Sequence, residues 1–350
     1  MNPTVIITLA LCLAGGGTAL ADSGAAKDAR TVDLSTEGPA DWTEDYRVYR
    51  GGPAWFGGPP DAAALAAAKE RGVTTVIDLR GPEEGTAATA ALVEAAGLAH
   101  HAVPFPRGVP FTHAAVRHVA ELVAAAPPGS VLVHCASGQR AAAWWAADLV
   151  ADHDVAVETA LTAARAAGLV KEDTAAAVRR FAVEERARRL ADDAANRLAA
   201  TLMGRLQAAI DEGGVVAGAR VCADVAQEIT AEVGRETGVS VRRTALRLRN
   251  PANAPDDFER TWLEVQQASI AAGQGAEAVY TIVGSGNGEV LRHLRPILFP
   301  GAVCTQCHGP ESEIPVEMKD FLADNYPEDQ ATGFRAGDLR GAISVQVPLQ

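Results

Sequence analysis

Five residues near the C-terminus, Cys304-Thr305-Gln306-Cys307-His308, hold the densest chemistry in the sequence. Their spacing lets two thiols add across the vinyl groups of a haem while the adjacent imidazole reaches the iron. A CxxC pair also suits zinc or redox work, but no second CxxC completes a zinc cage here. The motif predicts one covalently attached haem c on Cys304 and Cys307, with His308 as an axial iron ligand. The group on the other face sets the potential and the access of ligands. Met203, Cys222, His293 and Met318 are the candidates. Met318 follows His308 too closely in the chain to cross the ring, and His293 has the strand context of an ordinary surface histidine. Cys222 rides an amphipathic helix and has no other role, a buried inert thiol being its alternative reading.

A second thiol with chemical context is Cys135. The run His134-Cys135-Ala136-Ser137-Gly138-Gln139-Arg140 follows an apolar strand pattern and opens a helical one. Backbone N–H groups of the loop Ala136, Ser137, Gly138 and Gln139 converge on an anion, while the helix N-terminus and Arg140 add positive potential. Such a loop is a nucleophile cradle, with Cys135 and Arg140 as its catalytic residues and a small oxyanion or sulfane-sulfur compound as its substrate. Trp144 and Trp145 are expected to fill the core behind it.

Composition narrows the partners. The 350 residues are 48% apolar, enough for two cores, and carry a formal charge of -13. That field repels nucleic acid and anionic membranes and leaves a small molecule or a redox or signalling protein as the partner. An apolar run over 5–14, then Ala19-Leu20-Ala21 before Asp22, reads as a secretory signal peptide over 1–21, although its first residues lack Lys and Arg. The run is too short and glycine-rich for a membrane span. A periplasmic protein is expected, with no span once the signal is cleaved and with Cys12 removed. Cys135, Cys222, Cys304 and Cys307 then remain and form no evident disulfide framework.

The elements that must hold these residues fall into two sets. Residues 22–45 are polar and aperiodic and read as a flexible mature N-terminus, with structure beginning near Tyr46. Extended segments at 46–49, 74–79, 101–105 and 130–134 alternate with helical ones at 61–70, 86–96, 114–125 and from 141. This predicts an α/β domain over 46–170 with a mostly parallel sheet. Over 171–212 a helical connector carries an apolar stripe at Ala187, Leu190, Ala194, Leu198, Leu202, Leu206 and Ile210. It is either one helix or two that abut near Asp192-Asp193. The last part, over 190–350, reads as α+β: a helix at 217–233 stopped by Gly234 and Gly238, a β-rich stretch at 239–248, a helix at 256–272, and a hairpin of 278–283 with 289–298 turning at Ser285-Gly286-Asn287-Gly288.

Two resemblances follow from these residues. Val221-Cys222-Ala223-Asp224-Val225-Ala226, Arg235-Glu236-Thr237-Gly238, Arg242-Arg243-Thr244 and 249–256, with Cys304 to Gly309, Tyr326-Pro327, Asp329, 331–334 and 337–342, resemble the PAS-like haem c domain of bacterial sensor proteins. The resemblance implies iron held by His308 and by a thiolate from Cys222, in a redox or small-ligand sensor. Arg242, Arg243 and Arg249 would neutralise the haem propionates or form a solvated face.

The stretch from Val48-Tyr49-Arg50-Gly51-Gly52-Pro53 through Val76-Ile77-Asp78-Leu79-Arg80 to Arg140 resembles the dual-specificity-phosphatase-like family, especially its β-lactamase-hydrolase-like branch. The departures matter. One residue fewer separates Cys135 from Arg140 than in tyrosine phosphatases, which is the spacing of rhodanese-type sulfurtransferases. Ala141 replaces a hydroxyl residue, and no Asp lies between Gly81 and Cys135 to act as general acid. Glu83, Glu84, His100, His101 or His113 would have to substitute. Sulfur transfer, altered phosphatase activity and a non-catalytic anion module all stay open for this domain. So do three roles for the whole chain: a haem sensor coupled to the Cys135 loop, a Cys135 enzyme whose haem shuttles electrons, and an electron carrier with an inactive loop.

Overall fold

The computed structural model describes residues 32–284 and 288–349. The expected signal peptide, residues 22–31 of the segment before Tyr46 and residues 285–287 of the expected hairpin turn lie outside the described residues.

Both expected fold classes are present. The first is a mixed six-stranded sheet in the order β1-β2-β3-β6-β4-β5. Its strands are β1 (Thr36–Thr43), β2 (Tyr46–Gly51), β3 (Ala54–Gly57), β4 (Thr75–Asp78), β5 (Ala99–Ala102) and β6 (Val131–His134). Strands β3, β6, β4 and β5 run parallel, and β1, β2 and β3 form an antiparallel meander at one edge. Helices α1 (Ala62–Glu70), α2 (Thr86–Ala95), α3 (His113–Ala125), α4 (Gln139–His153) and α5 (Val157–Ala166) complete this layer. Asp61 caps α1 and Thr112 caps α3, each accepting from a backbone N–H in the first turn. Trp144 and Trp145 are buried behind the Cys135 loop, as expected, and Trp144 Nε1 donates to Val116 O.

Strand β1 corrects the reading of residues 22–45 as flexible throughout. Its sequence is polar, yet Trp42 is buried against Tyr46, Val48 and Leu65 and meets Trp55 edge-on at 5.3 Å. One aromatic anchor, together with pairing to β2, orders an edge strand whose outer face stays polar.

The connector is a helix, α6 (Glu172–Arg220), that passes Asp192-Asp193 without a break. The reading of two helices abutting there is overturned. The interruption falls at Gly214, whose φ of 74° no L-residue adopts cheaply. The chain then doubles back, and Gly218 lies so close to Ile210 that an added Cβ would approach its Cγ1 to 2.5 Å. The return arm leaves α6 through a π-helical turn, Val221–Val225, into α7 (Ala226–Thr237). Gly238, with φ 71°, ends α7, whereas Gly234 lies inside it.

The second sheet is antiparallel, in the order β7-β10-β9-β8, built from β7 (Ser240–Thr244), β8 (Val279–Val283), β9 (Val290–Leu298) and β10 (Leu339–Pro348). Helix α8 (Asp257–Ala271) begins with a capping box between Asp256 and Glu259, and α9 (Thr305–His308) and α10 (Val316–Asn325) follow β9. One face of α6, through Ala187, Ala191, Ala194, Ala195 and Leu198, packs with Ile229 and Val233 of α7 onto Val241, Leu291, Ile343 and Val345. The small residues let α6 lie close to the sheet, and Leu198 fills the contact. Replacing Leu198 with alanine removes a fully buried side chain and is expected to lower unfolding free energy by about 2–5 kcal/mol, read by chemical denaturation.

Candidate functional site

Two cavities hold the residues singled out in the sequence, and α6 lines both. Near its C-terminal end Leu202, Met203 and Leu206 wall a cavity of about 440 Å3 together with Cys222, Arg243, Cys304, His308 and Arg340. The volume lies in the range of small-molecule and cofactor sites. Cys222 sits on the π-helical turn, a distortion common at functional sites because the inserted residue re-aims its neighbours. Cys304 closes the 3-10 turn that precedes α9, and α9 itself is the single turn that carries Cys307 and His308.

His308 is fixed by the segment that follows it. Its Nδ1 donates to Ala331 O at 2.6 Å, and Phe334 N returns a hydrogen bond to His308 O at 2.9 Å. A carbonyl only accepts, so Nδ1 carries the proton and Nε2 keeps its lone pair. Burial, reinforced by Arg249 and Arg340, pushes the imidazole well below its ordinary range, so it is neutral at physiological pH. A carbonyl holding one nitrogen while the other stays basic is the usual support of a metal-ligating histidine.

The thiols of Cys304 and Cys307 are both pushed up by burial, Cys307 to about 11, and the nearby Cys222 adds to each shift. Cys222 and Cys304 line the same cavity. Cys307 packs on Ala219, Met318 and Phe321 at the edge of the cavity.

Arginines form the polar wall. Arg249 is a clamp: Nη2 reaches Asp329 at 2.9 Å and Cys307 O at 2.6 Å, fixing the backbone of the motif. Arg242 donates to Ala254 O and faces Glu259, outside the cavity lining. Neither Arg242 nor Arg249 is free for a propionate, because each already has backbone and carboxylate partners. Arg243 and Arg340 differ. Arg243 Nε is buried without a partner, and Arg340, pressed down to about 10 by burial and then by Arg249, donates only to Arg247 O at 3.3 Å. Half-buried cations with no carboxylate in hydrogen-bond contact favour an anion nearby, so these two call for one in the cavity. Arg340 was missed in the sequence, where nothing marks which surface arginine a β10 register turns inward.

The other distal candidates separate cleanly. Met203 lines the cavity, while Met318 is buried in the core beside Phe321 and Leu322. His293 is not a surface residue: it is buried on β9, stacked on Tyr280 at 4.2 Å, with Nδ1 at 3.1 Å from Val279 O.

At the other end of α6 lies a cavity of about 630 Å3, floored by Cys135, Ala136, Ser137, Gln139 and Arg140. Residues 106–111 form one wall, and Lys171, Asp173, Thr174, Ala177 and Arg180 of the α6 entry form another. Cys135 is buried directly after β6, and Gly138 turns the loop into α4 with φ 77°. A Cβ there would meet the Gly57 backbone at 3.5 Å, an ordinary contact, so it is the left-handed backbone that favours glycine. Gln139 is also structural: its Oε1 accepts from Val170 N and Lys171 N, and its Nε2 donates to Gly168 O.

Arg140 is largely engaged. It holds Glu84 through both guanidinium ends, at 2.8 and 2.6 Å, and donates to Phe105 O at 2.6 Å. Arg140 occupies both oxygens of Glu84 and keeps its carboxyl at about 2, so Glu84 has no oxygen free to serve a leaving group. His113 pairs with Glu185 at 2.9 Å, Glu83 is exposed, and His100 and His101 lie on β5 outside the lining. Among the described lining residues the carboxylate is Asp173, which sequence reasoning missed because it lies beyond the interval searched for an acid.

No curated protein sequence matches the chain. Among solved structures, the cyanobacterial heme-protein Tll0287 is 29% identical, with a TM-score of 0.29, over 36% of this chain and 70% of its own. The kinase-associated phosphatase KAP is 15% identical with a TM-score of 0.31, over 34% of this chain and 74% of its own. TpbA of P. aeruginosa is 21% identical with a TM-score of 0.32, over 39% and 82%. The Tll0287-like profile matches residues 153–348, more than half of the sequence and including Cys222, Cys304, Cys307 and His308, and the chain belongs to the Tll0287-like family.

Proposed function

We propose that this chain is an exported, periplasmic c-type haem protein, a redox or small-ligand sensor with one haem joined to Cys304 and Cys307 and its iron held between His308 and Cys222. The carrying observation is the single cavity that gathers Cys222, Cys304 and a neutral His308 whose Nδ1 is anchored on Ala331, together with the half-buried Arg243 and Arg340. The residues present fit a haem: an apolar wall of Leu202 and Leu206, two thiols at attachment spacing, and two uncompensated cations for two propionates. Membership of the Tll0287-like family supports a haem as the group. When bound, the group supplies one-electron chemistry. The chain's part is to anchor it, to donate the His308 lone pair, to hold Cys222 as thiolate against the iron charge, and to exclude water with α6. A PAS-like sensor role fits α6, which spans about 29 Å from Arg180 at one cavity to Ala199 at the other. No helix among the described residues is long and apolar enough to cross a membrane.

Low-temperature EPR of the ferric protein tests the ligand set. The expected spectrum is low-spin with a thiolate and an imidazole, and Cys222→Ala loses it. An unchanged spectrum rejects Cys222.

The Cys135 cavity supports a second reading, a thiolate nucleophile that acts on a phosphate ester or a sulfane-sulfur donor. Its support is the buried Cys135 at the floor of an open cavity, at the start of α4.

A further inference from the structure

We propose that Asp173 is the proton donor of the Cys135 site, and that its substrate class is a phosphate monoester. This rests on the reading of Cys135 as a nucleophile. A thiolate displaces a poorly leaving alkoxide or phenoxide efficiently only if the leaving oxygen gains a proton, and residues 106–111, which form one wall of the cavity, contain no carboxylic acid. Glu84 is ion-paired to Arg140, and His134 is buried and pushed by that burial down to about 4, with Asp78 at 3.7 Å. Asp173 is the carboxylate that remains in the lining. It is exposed, and its Oδ1 accepts from Thr174 N at 2.6 Å and Thr174 Oγ1 at 3.1 Å, while Oδ2 has no hydrogen-bond partner among the described residues.

The placement is built from the nucleophile loop itself. Gln139, next to Arg140, grips the α6 entry by three hydrogen bonds to residues 168, 170 and 171, so the helix turn bearing Asp173 is registered against Cys135. Gln139 is thus a positioning residue. In the first step Cys135 Sγ attacks phosphorus, the ester P–O bond breaks, and the Asp173 proton passes to the leaving oxygen. In the second, Asp173 takes a proton from water as its oxygen attacks phosphorus, the S–P bond breaks, and phosphate leaves with the thiolate restored. No oxidant or reductant is consumed.

The test compares phenyl phosphate, a poor leaving group, with 2,4-dinitrophenyl phosphate, a good one, using the full chain. Cys135→Ser should abolish turnover of both. Asp173→Asn should lose about 100-fold or more in kcat/KM on phenyl phosphate and far less on the dinitrophenyl ester. Gln139→Ala should show the same leaving-group bias in weaker form, with circular dichroism confirming the fold. Equal losses on both esters would give Asp173 a binding role and overturn the proposal while leaving Cys135 the nucleophile. If the wild type turns over neither ester but moves sulfur from thiosulfate through Cys135, the phosphate chemistry is wrong and the nucleophile reading survives. If Cys135→Ser changes nothing in any assay, both fall.

Discussion

Replacing Cys304 and Cys307 together by serine is expected to abolish covalent haem attachment, so that the denatured protein carries no haem on a peroxidase-stained gel or in its intact mass. Each single variant should keep one thioether or lose the haem during assembly, and the double variant should keep none. The expectation follows from α9, the one helical turn that puts Cys307 and His308 beside Cys304 while the 331–334 segment fixes the imidazole. Thioether bonds are distinguishable from coordination, so His308→Ala gives an independent arm. Attachment should persist in some fraction while the low-spin spectrum is lost, because the iron then lacks its imidazole. A double serine variant that still carries haem through denaturation would remove the covalent reading altogether. A wild type with no haem after co-expression of the c-type assembly machinery would remove the haem reading as well.

How much of this was legible depends on where the chemistry is written. Cys304, Cys307 and His308 are contiguous, and Cys135 to Arg140 form one loop, so their spacing is visible without a fold. The union of Cys222 with them is not local: it needs the reversal at Gly214, the π-helical turn and the packing of the return arm on α6. The Gly213-Gly214 pair was the available signal for that reversal. Strand β10 was missed although Ile343-Ser344-Val345-Gln346-Val347 alternates apolar and polar residues, the period of a strand; its central place between β7 and β9, with Ser344 buried as well, is set by pairing partners far away in the chain. Asp173 and Arg340 show the limit most sharply. Each is an ordinary charged residue in sequence, and only the tie of Gln139 to the α6 entry, or the inward register of β10, makes it part of a site.

The pair Arg140–Glu84 should make the second large effect. Both side chains are about one-tenth exposed, and Glu84 caps its own short 3-10 turn through Gly81 N at 3.1 Å. Glu84→Gln preserves shape and removes the charge, leaving Arg140 near Leu79 O and Phe105 O with no carboxylate, apart from what solvent supplies. Breaking a buried pair on one side costs about 3–5 kcal/mol. Chemical denaturation at neutral pH should show a loss of that order, and Glu84→Gln combined with Arg140→Met should recover part of it, because the stranded charge is gone.

The sign of the pH dependence is fixed by the direction of the shift. Arg140 holds the folded Glu84 carboxyl at about 2, below the 4.5 of an unperturbed glutamate. The pair's contribution is therefore complete above the unfolded value and fades as pH falls from about 5 toward 2. Glu84→Gln should weaken less steeply than the wild type across that window, the remaining slope coming from other lowered carboxyls such as Asp78 and Asp256. The same variant frees the guanidinium next to Cys135, so added inorganic phosphate should stabilise it more than it stabilises the wild type, by mass action on the folded state. If phosphate stabilises both proteins equally, Arg140 is a strut of the loop and the anion is held by the backbone and the α6 wall alone.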